Sequence, residues 1–198
     1  MIRVRLLTIL LLFSCLARAQ EPFLRWETVP ALNNVLTTHV GGNRVWLGTG
    51  RGLFSYDITT DSLRVRTVTD QLADHDVTAL TPSGEEGLWI GYGNGLLQYY
   101  NFSDRSFHLI NDFEGLRING LQVQGDSLWV GHGLGLSLFL SGRNEVKETY
   151  RHLGLEMPAD EPVSCVRLHA DTIWAATKMG IAAASLSSLN LLDPVAWQ

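Results

Sequence analysis

The sequence predicts an all-β fold, a β-propeller of four-stranded blades with about four blades present, and three observations support this. Tryptophan recurs inside a short apolar strand at intervals of 43, 40 and 45 residues, which is the length of one propeller blade. A glycine-punctuated turn and a second apolar run follow each of these strands, as in a hairpin. Helical periodicity is nearly absent after residue 19. The repeated segments are 45–48, 88–91, 128–131 and 173–176.

Each period contains four short strands, of which the second carries the tryptophan. In the second period Trp89 points to one side of this strand, and Leu88 and Ile90 point to the other. Apolar residues on both faces are unusual for a half-exposed antiparallel sheet, so we expect neighbouring blades to cover both faces. Asx and Gly residues between the third and fourth strands favour turns there. The predicted blades cover residues 29–67, 74–110, 116–150 and 161–192.

The N-terminus has the pattern of an export signal. Two arginines precede an apolar run at 6–16, and small residues at 17–19 offer a cleavage site. We therefore expect a signal peptide at 1–19 and propeller repeats at 20–198, in the periplasm or at the cell surface. The apolar run is shorter than the roughly 20 residues of a spanning helix, so no membrane span is expected after cleavage. Lipidation of Cys15 in a partial lipobox is the alternative.

The composition argues against a nucleic-acid partner. Removing the signal takes away three arginines and leaves 12 basic against 20 acidic residues. Phosphate neutralisation needs clustered Lys and Arg, and no basic stripe is visible.

After removal of the signal, Cys165 is the one remaining cysteine. We therefore expect no intrachain disulfide and an inert thiol in an apolar strand.

Several motifs together resemble the two-component regulator propeller repeat. They are the tryptophan-aliphatic-glycine strand, the Gly-Leu start of the next strand, the run at 52–57 and the connector at 70–78. The resemblance covers about residues 24–198 and recurs four times. It implies an extracytoplasmic bacterial propeller, often the sensory part of signalling proteins and sometimes part of secretion-associated proteins. The fourth copy has Ala175 and Ala176 in place of the aliphatic-Gly pair, so we expect a less regular blade there.

The two ends of the repeat region predict how it continues. Residues 24–28 look like an outer strand with no inner strands before it, and residues 194–198 look like the same element beginning again. A closed propeller usually completes one blade with strands from both termini. We therefore expect the N-terminal part of a larger propeller, with further blades or a signalling domain following. A closed four-bladed ring is the alternative.

No catalytic, cofactor or metal site is predicted. The Gly-x-Gly-x-Gly runs lead into strands, whereas a dinucleotide fingerprint leads into a helix, so they indicate hairpin turns. None of the six histidines has zinc-type spacing, and no Gly-x-Ser-x-Gly elbow is present. Asp74 and Asp76 flank His75 but lack the larger set of oxygen ligands of a calcium loop. We therefore interpret this segment as a connector between blades.

Geometry predicts a binding face. The turns between the second and third strands of each blade emerge together with the inter-blade connectors, and loop residues on a rigid scaffold are plausible binding groups. We expect a non-enzymatic sensory or interaction propeller that binds a glycan, peptide or protein there. One alternative is a lyase or hydrolase that pairs His75 or His132 with a carboxylate at the central channel. Another is a secretion or surface-assembly component, and ordinary solvated loops remain a further interpretation. The predicted face comprises Arg51, His75, Asp76, Tyr92, Asn94, Arg117, His132 and Lys178.

Overall fold

A computed structural model describes residues 34–198, which form fifteen strands and no α-helix. Every strand pairs antiparallel with the next strand of its own sheet, giving three four-stranded blades and one three-stranded blade. The prediction of an all-β fold made of propeller blades is confirmed. The predicted signal peptide, Cys15 and the candidate outer strand at 24–28 lie outside the described residues. Within those residues, no helix is long and apolar enough to cross a membrane.

The strand bounds repeat from blade to blade. Blade 1 contains β1 (Val35–Gly41), β2 (Arg44–Thr49), β3 (Gly52–Asp57) and β4 (Ser62–Arg66). Blade 2 contains β5 (Val77–Ser83), β6 (Gly87–Tyr92), β7 (Leu97–Asn101) and β8 (Phe107–Ile110). Blade 3 contains β9 (Ile118–Gln124), β10 (Ser127–His132), β11 (Gly135–Leu140) and β12 (Glu145–Tyr150). Blade 4 contains β13 (Val163–His169), β14 (Thr172–Thr177) and β15 (Ile181–Ser185).

The last residues of the chain pair with β15, the third strand of blade 4. Pro194–Ala196 forms a 3-10 turn whose cap is Asp193, with Val195 N donating to Asp193 Oδ1 at 3.0 Å. Gln198 then exchanges two backbone hydrogen bonds with Ala183 of β15, at 2.8 and 2.9 Å. This is the position that the fourth strand occupies in the other blades.

The tryptophan of each of the first three blades packs toward the following blade. Trp46 lies parallel to Phe102 of blade 2, with the ring centroids 5.5 Å apart, and Trp89 stands edge-on to Phe139 of blade 3 at 5.8 Å. Leu88 and Ile90 pack on the opposite side, in the cluster that contains Trp46. Both faces of the interior blades are therefore buried, because each blade lies between two others.

The described blades form an arc. The inner strands β1, β5, β9 and β13 pack side by side in that order, and blades 1 and 4 make no comparable contact within residues 34–198. Trp174 is consequently 43% exposed, whereas Trp46, Trp89 and Trp129 are at most 6% exposed. Ile181 is 65% exposed, although its counterparts in the other blades are fully buried. Blade 4 thus presents an uncovered face of the kind that the next blade covers elsewhere.

Candidate functional site

The candidate site lies at the end of the blades where the connectors between blades meet the turns between second and third strands. We call it the loop face. Arg51, Asn94 and Lys178 come from three of these turns, and His75, Asp76 and Arg117 come from two connectors. The hairpins fix the turns, because β2–β3, β6–β7 and β14–β15 pair in register up to them.

An ion pair ties two neighbouring connectors together at the loop face. Arg117 Nη1 lies 2.9 Å from Asp76 Oδ2, and the side chains are 49% and 29% exposed. Asp76 immediately precedes inner strand β5 and Arg117 immediately precedes β9. Gly93 N donates to the Asp76 carbonyl at 3.0 Å, so the turn of blade 2 is held against the same connector.

Asp74 organises the remaining polar groups of the first connector. Its Oδ2 accepts from Asn94 Nδ2 at 2.6 Å, and its Oδ1 lies 2.6 Å from His75 Nδ1. Asn94 Oδ1 also accepts from Leu96 N at 3.0 Å, which caps the turn. Sequence reasoning did not select Asp74 as a site residue, although its place beside His75 and Asp76 was a usable signal.

Arg51 and Lys178 are the free cations of the loop face. Both side chains are exposed, and neither forms a salt bridge with another residue of the described part. They emerge from the turns of blade 1 and blade 4. With the connectors included, this end carries four cations, the fourth being Arg151, against eight carboxylates. Its net charge is therefore negative, and Arg51 and Lys178 are isolated positive points on it.

Tyr92 is an interior residue rather than an exposed contact. Its side chain is fully buried, its hydroxyl donates to Gln98 Oε1 at 2.5 Å, and it accepts from Ala73 N at 3.3 Å. Desolvation by burial raises the pKa of Tyr92 far above its ordinary value. Its role is to fix the connector after blade 1 to the third strand of blade 2.

His132 is also buried, and it caps a turn. It is 1% exposed, and Nδ1 accepts from Leu134 N at 3.2 Å. Thr49 and Thr177 end the equivalent strands of blades 1 and 4, and each accepts with its hydroxyl from the N–H two residues on. His132 therefore has the same structural role as these threonines, and its side chain does not reach the exposed loop face.

The contacts of His132 also exclude a role as base toward its serine neighbour. Nε2 lies 2.8 Å from Ser137 Oγ, which resembles a Ser-His pair. Because Nδ1 accepts a backbone N–H, the neutral ring carries its proton on Nε2 and donates to the serine. Desolvation by burial lowers the pKa of His132 to about 4. This imidazole cannot take the serine proton in the arrangement described.

The inner strands line a cavity of about 540 Å³ along the propeller axis. His39 and Arg167 both line it, and burial, followed by the charge of Arg167, lowers the pKa of His39. Among the described residues, no carboxylate lines this cavity. No group of three or more His, Cys, Asp or Glu side chains in residues 34–198 is arranged to hold a metal ion.

Residues 45–198 match the model of one protein family, described as the N-terminal β-propeller domain of PorZ (TSS9). The match spans more than half of the chain. It includes Trp46, Trp89 and Trp129, the three tryptophans that pack toward a following blade. The chain belongs to this family. The sequence resemblance named the two-component regulator propeller repeat, whereas the family that matches is the PorZ N-terminal propeller domain.

Solved structures share the fold at low sequence identity. PorZ from Porphyromonas gingivalis is 18% identical with a TM-score of 0.65, and the alignment covers 87% of this chain and 23% of that one. The extracellular domain of BT4673 from B. thetaiotaomicron is 19% identical with a TM-score of 0.67, covering 90% and 23%. That of BT3049, a hybrid two-component system protein from the same organism, is 22% identical with a TM-score of 0.66, covering 85% and 24%.

This chain therefore spans about a quarter of the length of these structural relatives. No curated protein matches it. The extracellular domains of signalling proteins have the propeller fold that the sequence resemblance implied.

Proposed function

We propose that this chain is a non-catalytic interaction domain that works outside the cytoplasm, in a bacterial secretion or surface assembly. The observation that carries the proposal is its membership of the PorZ N-terminal propeller family. PorZ of Porphyromonas gingivalis is described as an essential surface component of the type-IX secretion system. This role corresponds to the secretion or surface-assembly alternative drawn from the sequence.

The loop face is the contact surface in this proposal. It presents Arg51, Lys178 and the Asp76–Arg117 pair from four separate connections, so a partner must be broad enough to reach several blades. Exposed arginines suit bidentate contact with carboxylates. A protein or peptide partner that places carboxylates opposite Arg51 and Lys178 and cations opposite the surrounding acids fits this mixed surface best, and a glycan fits it next.

A sensory role is the second candidate, and the recurring resemblance to the two-component regulator repeat favours it. In both roles we propose that further propeller blades, or a domain joined to them, follow blade 4. The support is the exposure of Trp174 and Ile181, whose counterparts are buried by a following blade in the rest of the arc.

Genetic complementation in the source bacterium tests the assembly role. Deletion of the gene should reduce the delivery of secreted proteins to the cell surface, and the wild-type gene should restore it. The double variant Arg51→Glu/Lys178→Glu should restore it poorly at equal protein level. Arg143→Glu is the matched control, because Arg143 is an exposed cation in a turn between third and fourth strands, at the opposite end of the blades.

The outcomes separate the parts of the proposal. Normal secretion after deletion would contradict the assembly role. Full restoration by the double variant would contradict the loop face as the contact surface. Turnover of glycans or peptides by the purified protein, abolished by a loop-face substitution, would show that the domain is an enzyme.

A further inference from the structure

One residue of each blade occupies the same place beside the junction with the preceding blade. In all four blades the N–H after the third strand donates to the carbonyl of the residue before the second strand, at 2.8 to 3.0 Å. We call this place the plug position. Phe102 stacks there on Trp46 of blade 1, and Leu186 packs against the cluster that contains Trp129. In blade 3 the plug position holds Ser141, which is small and polar.

A cleft of about 570 Å³ opens at the junction where the plug residue is serine. We call it the blade 2–3 cleft. Every residue that lines it belongs to blade 2 or blade 3, and both blades have all four strands, so no further blade is needed to form it. Its rim is made by the turns at 84–86, 125–126 and 141–144. These turns lie at the end of the blades opposite the loop face.

Aromatic rings form the floor of the blade 2–3 cleft. Trp89 pairs with Tyr99 across β6 and β7, and Tyr99 pairs with His108 across β7 and β8, so the three side chains stand in a row on one face of the sheet. The ring centroids of Trp89 and Tyr99 are 4.8 Å apart, with the planes tilted by 48°. Trp89 is 6% exposed and Tyr99 is half-buried. The Tyr99 ring is therefore the part of the floor that a ligand can contact.

Two carboxylates without an ion-pair partner in the described part of the chain stand beside this floor. Glu86 and Asp126 line the cleft, no Lys or Arg of residues 34–198 does, and neither acid forms a salt bridge there. Burial raises the pKa of the Tyr99 phenol, and the negative charge of Glu86 also raises it. The turns of blades 2 and 3 at this end carry four carboxylates against two arginines, Arg105 and Arg143. The cleft therefore favours a cation.

The preceding junction shows that a guanidinium can occupy such an aromatic site. Arg66 Cζ lies 4.8 Å from the ring centroid of Tyr100 and 5.9 Å from that of Trp46. Its Nη1 atom is buried and has no hydrogen-bond partner among the described residues, which a weakly hydrated group that stacks on rings can tolerate. Ile110 is the equivalent residue of blade 2, because both residues pair with a leucine of the third strand in the same register. The blade 2–3 cleft thus has no guanidinium at this position.

We propose that the blade 2–3 cleft binds an arginine side chain of a partner protein. The guanidinium lies against the Tyr99 ring, which attracts it by a cation–π interaction, and donates hydrogen bonds to Glu86 and Asp126. Ser141 leaves the space for it that Phe102 fills at the preceding junction. This contact goes beyond the proposed function and does not depend on the loop face, because it lies at the other end of the blades.

NMR titration of the ¹⁵N-labelled protein with a blocked peptide, acetyl-Gly-Arg-Gly-amide, tests this proposal. The matched probe has citrulline in place of arginine, which keeps the shape of the side chain and removes its charge. The arginine peptide should shift the backbone amide resonances of Gly125, Gly142 and Asn144, which line the cleft. The citrulline peptide should leave them unchanged, and salt should weaken the binding of the arginine peptide.

Substitutions in the cleft separate its space from its charge. Ser141→Phe places at this junction the aromatic plug of the preceding one and should abolish the shifts. Glu86→Gln/Asp126→Asn preserves the side-chain shapes and should raise the Kd about tenfold, as expected for the loss of two partly exposed charged contacts. Glu85→Gln is the matched control and should leave the Kd unchanged, because Glu85 is exposed in the same turn but does not line the cleft.

All variants should retain the circular dichroism and cooperative unfolding of the wild type, and if Ser141→Phe does not fold, the double variant decides. Four results would overturn the proposal. They are no shift up to the solubility limit of the arginine peptide, equal shifts with the citrulline peptide, an unchanged Kd for Glu86→Gln/Asp126→Asn, and larger shifts of the same resonances with maltose. The last result would identify the cleft as a sugar site.

Discussion

Val163, the first residue of β13, lies directly against Gly131 of the preceding blade. A Cβ placed on Gly131 would come within 2.8 Å of Val163 Cγ1. Gly48 meets Val77 in the same way, and Gly91 meets Ile118. The glycine that ends each tryptophan-aliphatic-glycine motif is therefore the point where the next inner strand touches the blade. Blade 4 has Ala176 at this position, and no strand of the described part covers it.

Gly131→Ala should destabilise the protein by about 1–3 kcal/mol, since the added methyl overpacks the junction between blades 3 and 4. Urea unfolding followed by circular dichroism measures the change. Gly142→Ala is the control, because nothing lies within 4 Å of a Cβ placed there. Equal effects of the two substitutions would mean that close approach of the strands does not explain the glycine.

Trp89→Ala should lower the free energy of unfolding by about 3–5 kcal/mol, as truncation of a buried aromatic side chain does. Trp89 is 6% exposed between Tyr99 and Phe139. Trp174→Ala should cost less than about 1 kcal/mol in this chain, because Trp174 is exposed. A loss below about 1 kcal/mol for Trp89→Ala would contradict its place in the junction.

Acid should weaken the fold through His132. Its pKa is about 4 in the folded protein and about 6.5 in an unfolded chain. Between these values the unfolded chain binds a proton that the folded protein does not. The contribution of neutral His132 to the free energy of unfolding is therefore complete above about pH 7. It is lost as the pH falls from 6.5 toward 4, by about 3 kcal/mol in all.

His132→Thr isolates this effect, because Thr49 and Thr177 cap the equivalent turns without titrating. Unfolding free energies should be measured at pH 7 and pH 4.5 for both proteins. The wild type should lose about 2 kcal/mol more than the variant over this interval. Equal losses would show that His132 is not held neutral.

Arg117→Ala should change stability by less than about 1 kcal/mol, because a partly exposed ion pair contributes little. Arg117 and Asp76 are 49% and 29% exposed. A double-mutant cycle with Asp76→Ala, measured by thermal unfolding at low and high salt, gives the coupling and its screening. A coupling above about 2 kcal/mol would identify the pair as a structural element and make Arg117 unsuitable as a functional probe.

The turns and connectors named from the sequence lie together at the loop face, but the sequence did not give the direction of every side chain. Asn94 and Arg117 are turn and connector residues, and both lie at the loop face. Tyr92 and His132 stand at the last position of their strands. Whether that position points inward depends on the twist of the sheet and on the connector that packs over it, and neither can be derived from spacing.

The repeat by itself determined the fold class, the strand order and the two covered faces of each blade, because periodic apolar residues can be buried only by neighbouring copies. The tertiary structure alone decided which tryptophan is exposed. Trp129 and Trp174 occur in equivalent motifs, but burial depends on whether another blade lies alongside, and a local motif carries no information about that neighbour.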